Sequence, residues 1–220
     1  MDKITILLSS TVFIQKKKNY LFQRSPEIRL NAYLTSIKQW LDNTSFNIVL
    51  VDNSGYTFEE LNDYKIKYTN RFKIVSFTEE NIKESIYIKD CESKGSSEML
   101  SLNYAYYNSE LVSKSEFLIK VTARFFIPNF QQYLEENNIF NYDSICQNNR
   151  MRCEMVGCKT KYFHKLFNIH LITLENKLCA WSELIFKERI DTYFANTLIC
   201  KKLPIEKTYR GGCTIPYTDL

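Results

Sequence analysis

Hydrophobic and polar positions along this chain follow two periods, and the switches between them mark its elements. Ile4-Thr5-Ile6-Leu7-Leu8 is a short, β-branched apolar run, the pattern of a strand buried on both faces. A polar loop runs through Gln23, after which Ser25 offers an N-cap and Pro26 a first helical position. Leu30, Tyr33, Leu34, Ile37 and Leu41 then fall on one face of a helix. Asn47 to Val51 reads as a second buried strand and breaks at Asp52-Asn53-Ser54-Gly55. Thr57 with Glu60 has the spacing of a capping box, which predicts a short helix there. Phe72 to Phe77 predicts a third strand. Leu100, Tyr104, Tyr107 and Leu111 form a further helical stripe, opened by Ser96 or Ser97. Glu116 to Lys120 predicts a fourth strand, which Phe125 to Ile127 continues beyond an irregular patch. After Asn129 the pattern blurs: a helix near 130–137, strands or loops over 145–175, a helix over 182–199 and an irregular tail.

Strand–helix alternation with short connections predicts an α/β fold, a mostly parallel central sheet flanked by helices in a single domain over 1–220. Ligands of such sheets bind outside the carboxyl ends of the strands. Three places are singled out by that rule: the loop after Leu8, the turn after Val51 and the segment after Ile119.

Composition narrows the classes. A 45% hydrophobic share in 220 residues supports one well-packed domain rather than disorder. The net charge of +4 comes from 29 basic and 25 acidic residues interspersed, which is not a nucleic-acid-binding footprint. Lys16-Lys17-Lys18 reads as a solvated loop. The seven cysteines include no CxxC pair, so they suit reduced thiols in a cytoplasmic setting rather than a zinc site or a disulfide framework. Ile4 to Ile14 is too short to cross a bilayer, and no other run is long and apolar enough for a transmembrane segment.

Four clusters could carry chemistry. Asp52, Asn53 and Ser54 with Gly55 place side-chain oxygens and backbone N–H groups at a strand end ahead of a helix, which suits an anion or nucleotide, although a plain Asx turn has the same residues. Lys94 and Gly95, with Glu98 behind them, open a helix and could hold a diphosphate, or could be a capped helix start with an exposed lysine. Lys120, Thr122 and Arg124 bring two cations and a hydroxyl to the end of the fourth strand, where Arg124 can bind phosphate in a bidentate manner. Glu183 follows Trp181, and an apolar setting could tune it as a general base, or it could be a surface carboxylate. His164 and His170 lack a carboxylate or serine partner in sequence and read as structural or exposed.

In order and spacing these pieces resemble the GT-A glycosyltransferases, in the arrangement of the family 2-like enzymes. The resemblance spans residues 3–190. It rests on the strand-end turn Val51-Asp52-Asn53-Ser54-Gly55-Tyr56, the helix start Ser93-Lys94-Gly95 with Ala105, the strand Phe117-Leu118-Ile119 with Pro128, and Glu183-Leu184 with Arg189. A narrower likeness is to small viral and bacterial glycosyltransferase-like proteins. These carry an arginine-bearing first helix, here Arg29 with Tyr33 and Trp40, and NSGY, KGxxE and KxTGR motifs. Ala123 stands here in place of the last motif's glycine.

The resemblance implies a GT-A sheet, with a nucleotide-binding half over about 1–128 and an acceptor half over about 129–220. It implies transfer of a sugar from a nucleotide-sugar donor to a glycan or other hydroxyl acceptor, with inversion. Asp52 would read the nucleoside, Lys94 and Arg124 would hold the diphosphate, and Glu183 would act as base. The family's DxD motif is missing: Lys120 and Thr122 stand where Mn²⁺- or Mg²⁺-binding aspartates would be. The implied enzyme is therefore metal-independent, with basic side chains replacing the cation. A non-catalytic nucleotide- or sugar-binding module of the same fold is the alternative.

Overall fold

The computed structural model describes residues 2–14, 22–89, 91, 93–173, 181–210 and 214–220. The Lys16–Lys18 run, Cys179 and Cys213 lie outside these described residues.

The first half alternates strands and helices: β1 (Ile4–Ser10), α1 (Pro26–Asn43), β2 (Asn47–Asp52), α2 (Asn62–Lys67), β3 (Phe72–Ser76), α3 (Lys94–Asn108), α4 (Glu110–Ser113) and β4 (Phe117–Thr122). The second half adds α5 (Phe130–Glu136), β5 (Ser144–Cys146), β6 (Met155–Lys159), α6 (Phe163–Leu166), α7 (Ser182–Tyr193), β7 (Thr197–Ile199), β8 (Pro204–Tyr209) and β9 (Pro216–Asp219). Seven strands form one sheet in the order β3-β2-β1-β4-β6-β5-β7. Only β6 runs against the others. The chain moves outward from β1 through β2 to β3, then returns to place β4 on the other flank of β1. That reversal is a topological switch point, and it opens a crevice at the carboxyl ends of β1, β2 and β4.

Both faces of the sheet are covered, which is why β1 and β2 are apolar almost throughout. Ile4, Ile6, Leu8, Ile48 and Leu50 meet Tyr33, Ile37, Trp40 and Leu41 of α1 on one side. Leu7, Val49 and Val51 meet Met99, Leu100 and Leu102 of α3 and the α6–α7 layer on the other. The side-chain period of two sends neighbouring residues to these opposite cores. Trp40 Nε1 donates to the Phe125 carbonyl at 2.9 Å, which satisfies a fully buried indole.

Several element boundaries differ from the sequence reading, each for a local reason. The Thr57–Glu60 capping box does not form: Tyr56 Oη donates to the Glu60 carboxylate at 2.5 Å, and Phe58 takes a left-handed conformation (φ 53°) ahead of a short 3₁₀ turn. The third helix starts at Lys94 rather than Ser96 or Ser97, because Ser93 Oγ accepts from the Gly95 N–H and caps it. Phe125 to Ile127 is not a strand. A turn bonding the Phe125 N–H to the Thr122 carbonyl ends β4, and Phe125 and Ile127 fill the α1-side core. The helix read over 182–199 ends at Tyr193, and Thr197–Ile199 leaves it to pair with β5. The tail is not irregular: β8 and β9 form an antiparallel pair, with Leu203 and Leu220 exchanging backbone hydrogen bonds.

Candidate active site

The crevice at the switch point is a cleft of about 180 Å³. Its rim comes from the ends of β1, β2 and β4, the start of α3, the segment before β6 and the start of α7. Asn53, Lys94, Gly95, Thr122, Arg124, Arg29, Glu98 and Glu183, all singled out in the sequence, line it together. Asp52, Ser54, Lys120 and Arg189 do not.

Asp52 is fully buried and accepts from the Ser10 and Ser54 hydroxyls and from the backbone N–H groups of Val12, Ser54 and Tyr56. Such saturation fixes the carboxylate as the tie between the loop after β1 and the turn after β2. Ser54 Oγ also accepts from the Val12 and Phe13 N–H groups, completing that tie. Gly55 turns the chain at φ 82°, and a Cβ there would lie 2.8 Å from Thr78 Oγ1. What the tie presents to the cleft is Thr11 hydrogen-bonded to Asn53 at 2.6 Å, and beside them the ring of Phe13, 45% exposed.

Two guanidinium groups share one phenol. Arg29 Nη2 donates to Tyr33 Oη at 2.9 Å and Arg124 Nη2 at 3.3 Å. Arg29 Nε is fixed by the Thr11 carbonyl, and Arg124 Nη1 by the Gln23 side chain. Burial holds Arg29 below the ordinary guanidinium value; the neighbouring Tyr33 offsets this and Arg124 adds to it.

Beneath the cleft lies a buried ion pair. Lys120 is fully buried, and its Nζ lies 2.9 Å from Glu98 Oε1 and also meets the Cys153 carbonyl and Thr122 Oγ1. Burial opposes its charge, but Glu98, with smaller contributions from Cys153 and Glu154, outweighs that and holds it above the ordinary lysine value. Ser9 Oγ donates to the same Glu98 oxygen at 2.6 Å.

At the opposite wall, Arg210 reaches in from the end of β8. Its Nε lies 2.9 Å from Glu154 Oε1 and its Nη2 lies 3.0 Å from Glu183 Oε1, while Nη1 donates to Tyr217 Oη. Lys94 stands near Arg210 with no hydrogen-bond or ion-pair partner among the described residues. Partial burial lowers its pKa, and repulsion by Arg210 lowers it further. Gly95 lets α3 and α7 meet here, since a Cβ would lie 2.6 Å from Ser182 Cβ. Ser182 Oγ lies 3.6 Å from Cys153 Sγ, a thiol that burial pushes far above its ordinary value and so keeps un-ionised.

Arg189 faces elsewhere. It donates to the carbonyls of Leu166, Asn168 and His170 and ties α7 to the loop after α6; burial lowers it to about 10. The sequence reading assigned none of Ser9, Thr11, Phe13, Glu79, Cys153, Glu154 and Arg210 to the site. Only the first three carried a signal, in following a buried strand at its carboxyl end.

The donor set at the end of β4 does not fit a divalent cation. Lys120 and Thr122 stand there, and the carboxylates alongside are matched by cations: Glu98 by Lys120, Glu154 and Glu183 by Arg210. Among the described residues no group of three or more His, Cys, Asp or Glu side chains is arranged to hold a metal ion.

No protein-family model and no curated protein matches the chain. Solved structures do. A protein from Desulfovibrio desulfuricans described as a nucleotide-diphospho-sugar transferase superposes with a TM-score of 0.51 at 11% identity, covering 91% of this chain and 80% of that one. The glycosyltransferase GlyE of Streptococcus pneumoniae gives 0.51 at 6% identity, covering 90% of this chain and 45% of that one. S. aureus TarS residues 1–349, solved with UDP-GlcNAc, gives 0.50 at 10% identity, covering 96% of this chain and 60% of that one. The fold is thus the GT-A fold of nucleotide-sugar transferases, a mostly parallel sheet with helices on both faces. Among the described residues no helix is long and apolar enough to cross a membrane.

Proposed function

We propose that this protein is a glycosyltransferase that moves a sugar from a nucleotide-sugar donor to an acceptor hydroxyl. The observation that carries this reading is the convergence of Lys94 and Arg210 on one cleft at the GT-A switch point. A diphosphate between them takes up the charge of Lys94, which has no hydrogen-bond or ion-pair partner among the described residues. Arg124, held through Tyr33, adds a third cation on the far side.

In this reading the nucleoside lies over Phe13 with its polar edge toward Thr11 and Asn53, and Asp52 shapes that surface from behind. Lys94, Arg124 and Arg210 hold the diphosphate and take the place of a metal ion. When the diphosphate engages Arg210, Glu183 loses its ion-pair partner and becomes free to accept a proton. The acceptor oxygen then bonds to the anomeric carbon as the carbon–phosphate-oxygen bond breaks. The hydroxyl proton passes to Glu183, and the nucleotide leaves with its charge matched by the three cations. In-line attack inverts the anomeric centre.

Glu183→Gln is expected to bind the donor as the wild type does and to lose transfer by at least a hundredfold, read as free nucleotide released per minute. Turnover at the wild-type rate removes Glu183 as base. The Glu183–Arg210 pairing also suits a second reading, a module that binds the nucleotide sugar without catalysis. That module would bind the donor yet release no free nucleotide with any acceptor.

Lys94 adds a pH signature. Its pKa lies below the ordinary lysine value of 10.5, and a bound diphosphate raises it again. Donor binding is therefore coupled to proton uptake, and affinity falls as pH rises from the depressed value toward 10.5. Calorimetric titration in buffers of different ionisation enthalpy should show that uptake in the wild type and not in Lys94→Met.

A further inference from the structure

Glu154 is bonded through only one of its two oxygens. The residue is 4% exposed, at the wall of the cleft where the chain enters β6, and its backbone carbonyl is fixed by the Thr122 N–H at 2.9 Å. Oε1 meets Arg210 Nε at 2.9 Å. Oε2 is buried and has no hydrogen-bond partner among the described residues. A carboxylate oxygen left so costs more than an ordinary lost hydrogen bond, and a native protein retains one where something else supplies the donor. Ser97 Oγ, also on the cleft wall and buried, is unpartnered too.

The chemistry of the missing donor follows from the charge. A carboxylate repels a phosphate and accepts from O–H or N–H groups. Its place follows from Arg210, whose single guanidinium holds Glu154 by Nε and Glu183 by Nη2. Glu154 is therefore within the span of one side chain of the group assigned as base and of the cations assigned to the diphosphate. The part of a donor that lies there is the sugar. Building on the glycosyltransferase reading, we propose that Glu154 is the residue that recognises the transferred sugar, its Oε2 accepting a hydroxyl or amide N–H of that sugar. This assigns Glu154 to donor specificity, apart from the nucleotide contacts at Phe13, Thr11 and Asn53.

The test compares each nucleotide with its sugar conjugate on the full chain: UDP with UDP-N-acetylglucosamine, and GDP with GDP-mannose, by calorimetric titration of the wild type, Glu154→Gln and Glu154→Asp. The wild type should bind one conjugate more tightly than its nucleotide. Both variants should weaken that conjugate about ten- to a hundredfold more than they weaken the bare nucleotide, whose retained binding also shows that the fold survives. An equal loss for nucleotide and conjugate, or no loss for either, overturns the assignment. So does a wild type that binds nucleotide and conjugate equally, though nucleotide binding would stand. If the wild type binds none of the four and no dTDP-sugar either, the glycosyltransferase reading fails and this inference fails with it.

Discussion

Glu98→Ala is expected to lower the unfolding free energy by about 3–5 kcal/mol, because it leaves the fully buried Lys120 ammonium without its carboxylate. On the scale of a typical domain, at about 5–15 kcal/mol, that is a large share of the total. The loss also frees Ser9 Oγ, which donates to the same oxygen. Replacing both partners by apolar residues, Lys120→Met with Glu98→Leu, should recover most of the loss, since neither charge is then stranded. Lys120 is held above the ordinary value of 10.5, so its proton contributes fully below that pH. That contribution is lost only as pH rises through the raised value. Urea unfolding of Lys120→Met, Glu98→Leu and the double variant measures the cycle, with Glu98→Ala alongside. A Glu98→Ala midpoint equal to the wild type's would show that the pair is not what holds the cleft floor.

Arg210→Ala should act on both stability and function. It strands the Glu154 carboxylate, 4% exposed, and removes the cation from Glu183. Arg210 keeps about a quarter of its side chain in solvent (24%), so the stability loss should fall near the low end for a broken buried pair, about 3 kcal/mol. Donor affinity should fall at least tenfold as one of three diphosphate cations is lost. Arg210→Lys should recover little of either, because one ammonium cannot hold two carboxylates and Tyr217 Oη in the geometry of a guanidinium. Urea unfolding and calorimetric titration read the two effects separately. Wild-type donor affinity in Arg210→Ala would remove Arg210 from the phosphate site.

The parallel half of the fold was legible because its signals are local. β1, β2 and β4 are apolar β-branched runs, Ser25-Pro26 marks the start of α1, and the strand-end rule pointed to the segments that meet at the cleft. The second half was less so. β5 and β7 are three residues each, too short for a period to show, and β8 carries no alternation strong enough to stand out from a loop. Arg210 just follows β8 and Glu154 just precedes β6, and they were missed because they meet only through tertiary folding. The motif residues Asp52 and Lys120 were found, but the sequence could not show how they are bonded. The donors that saturate Asp52 include Ser10 and Val12, and Lys120 pairs with Glu98 of α3, contacts set by strand order rather than by sequence spacing. Arg189 was singled out through the family resemblance, with Glu183-Leu184, and its three backbone carbonyl partners lie away from the cleft.

The central claim is that cations, rather than a metal ion, receive the diphosphate of a nucleotide sugar in this cleft. Its most direct test is a thermal-shift panel of UDP-, GDP- and dTDP-sugars, each with and without Mn²⁺. At least one donor should raise the unfolding midpoint by several degrees, equally with Mn²⁺ and with EDTA. A panel in which no donor shifts the midpoint, or in which the shift vanishes with EDTA and returns with Mn²⁺, would contradict it.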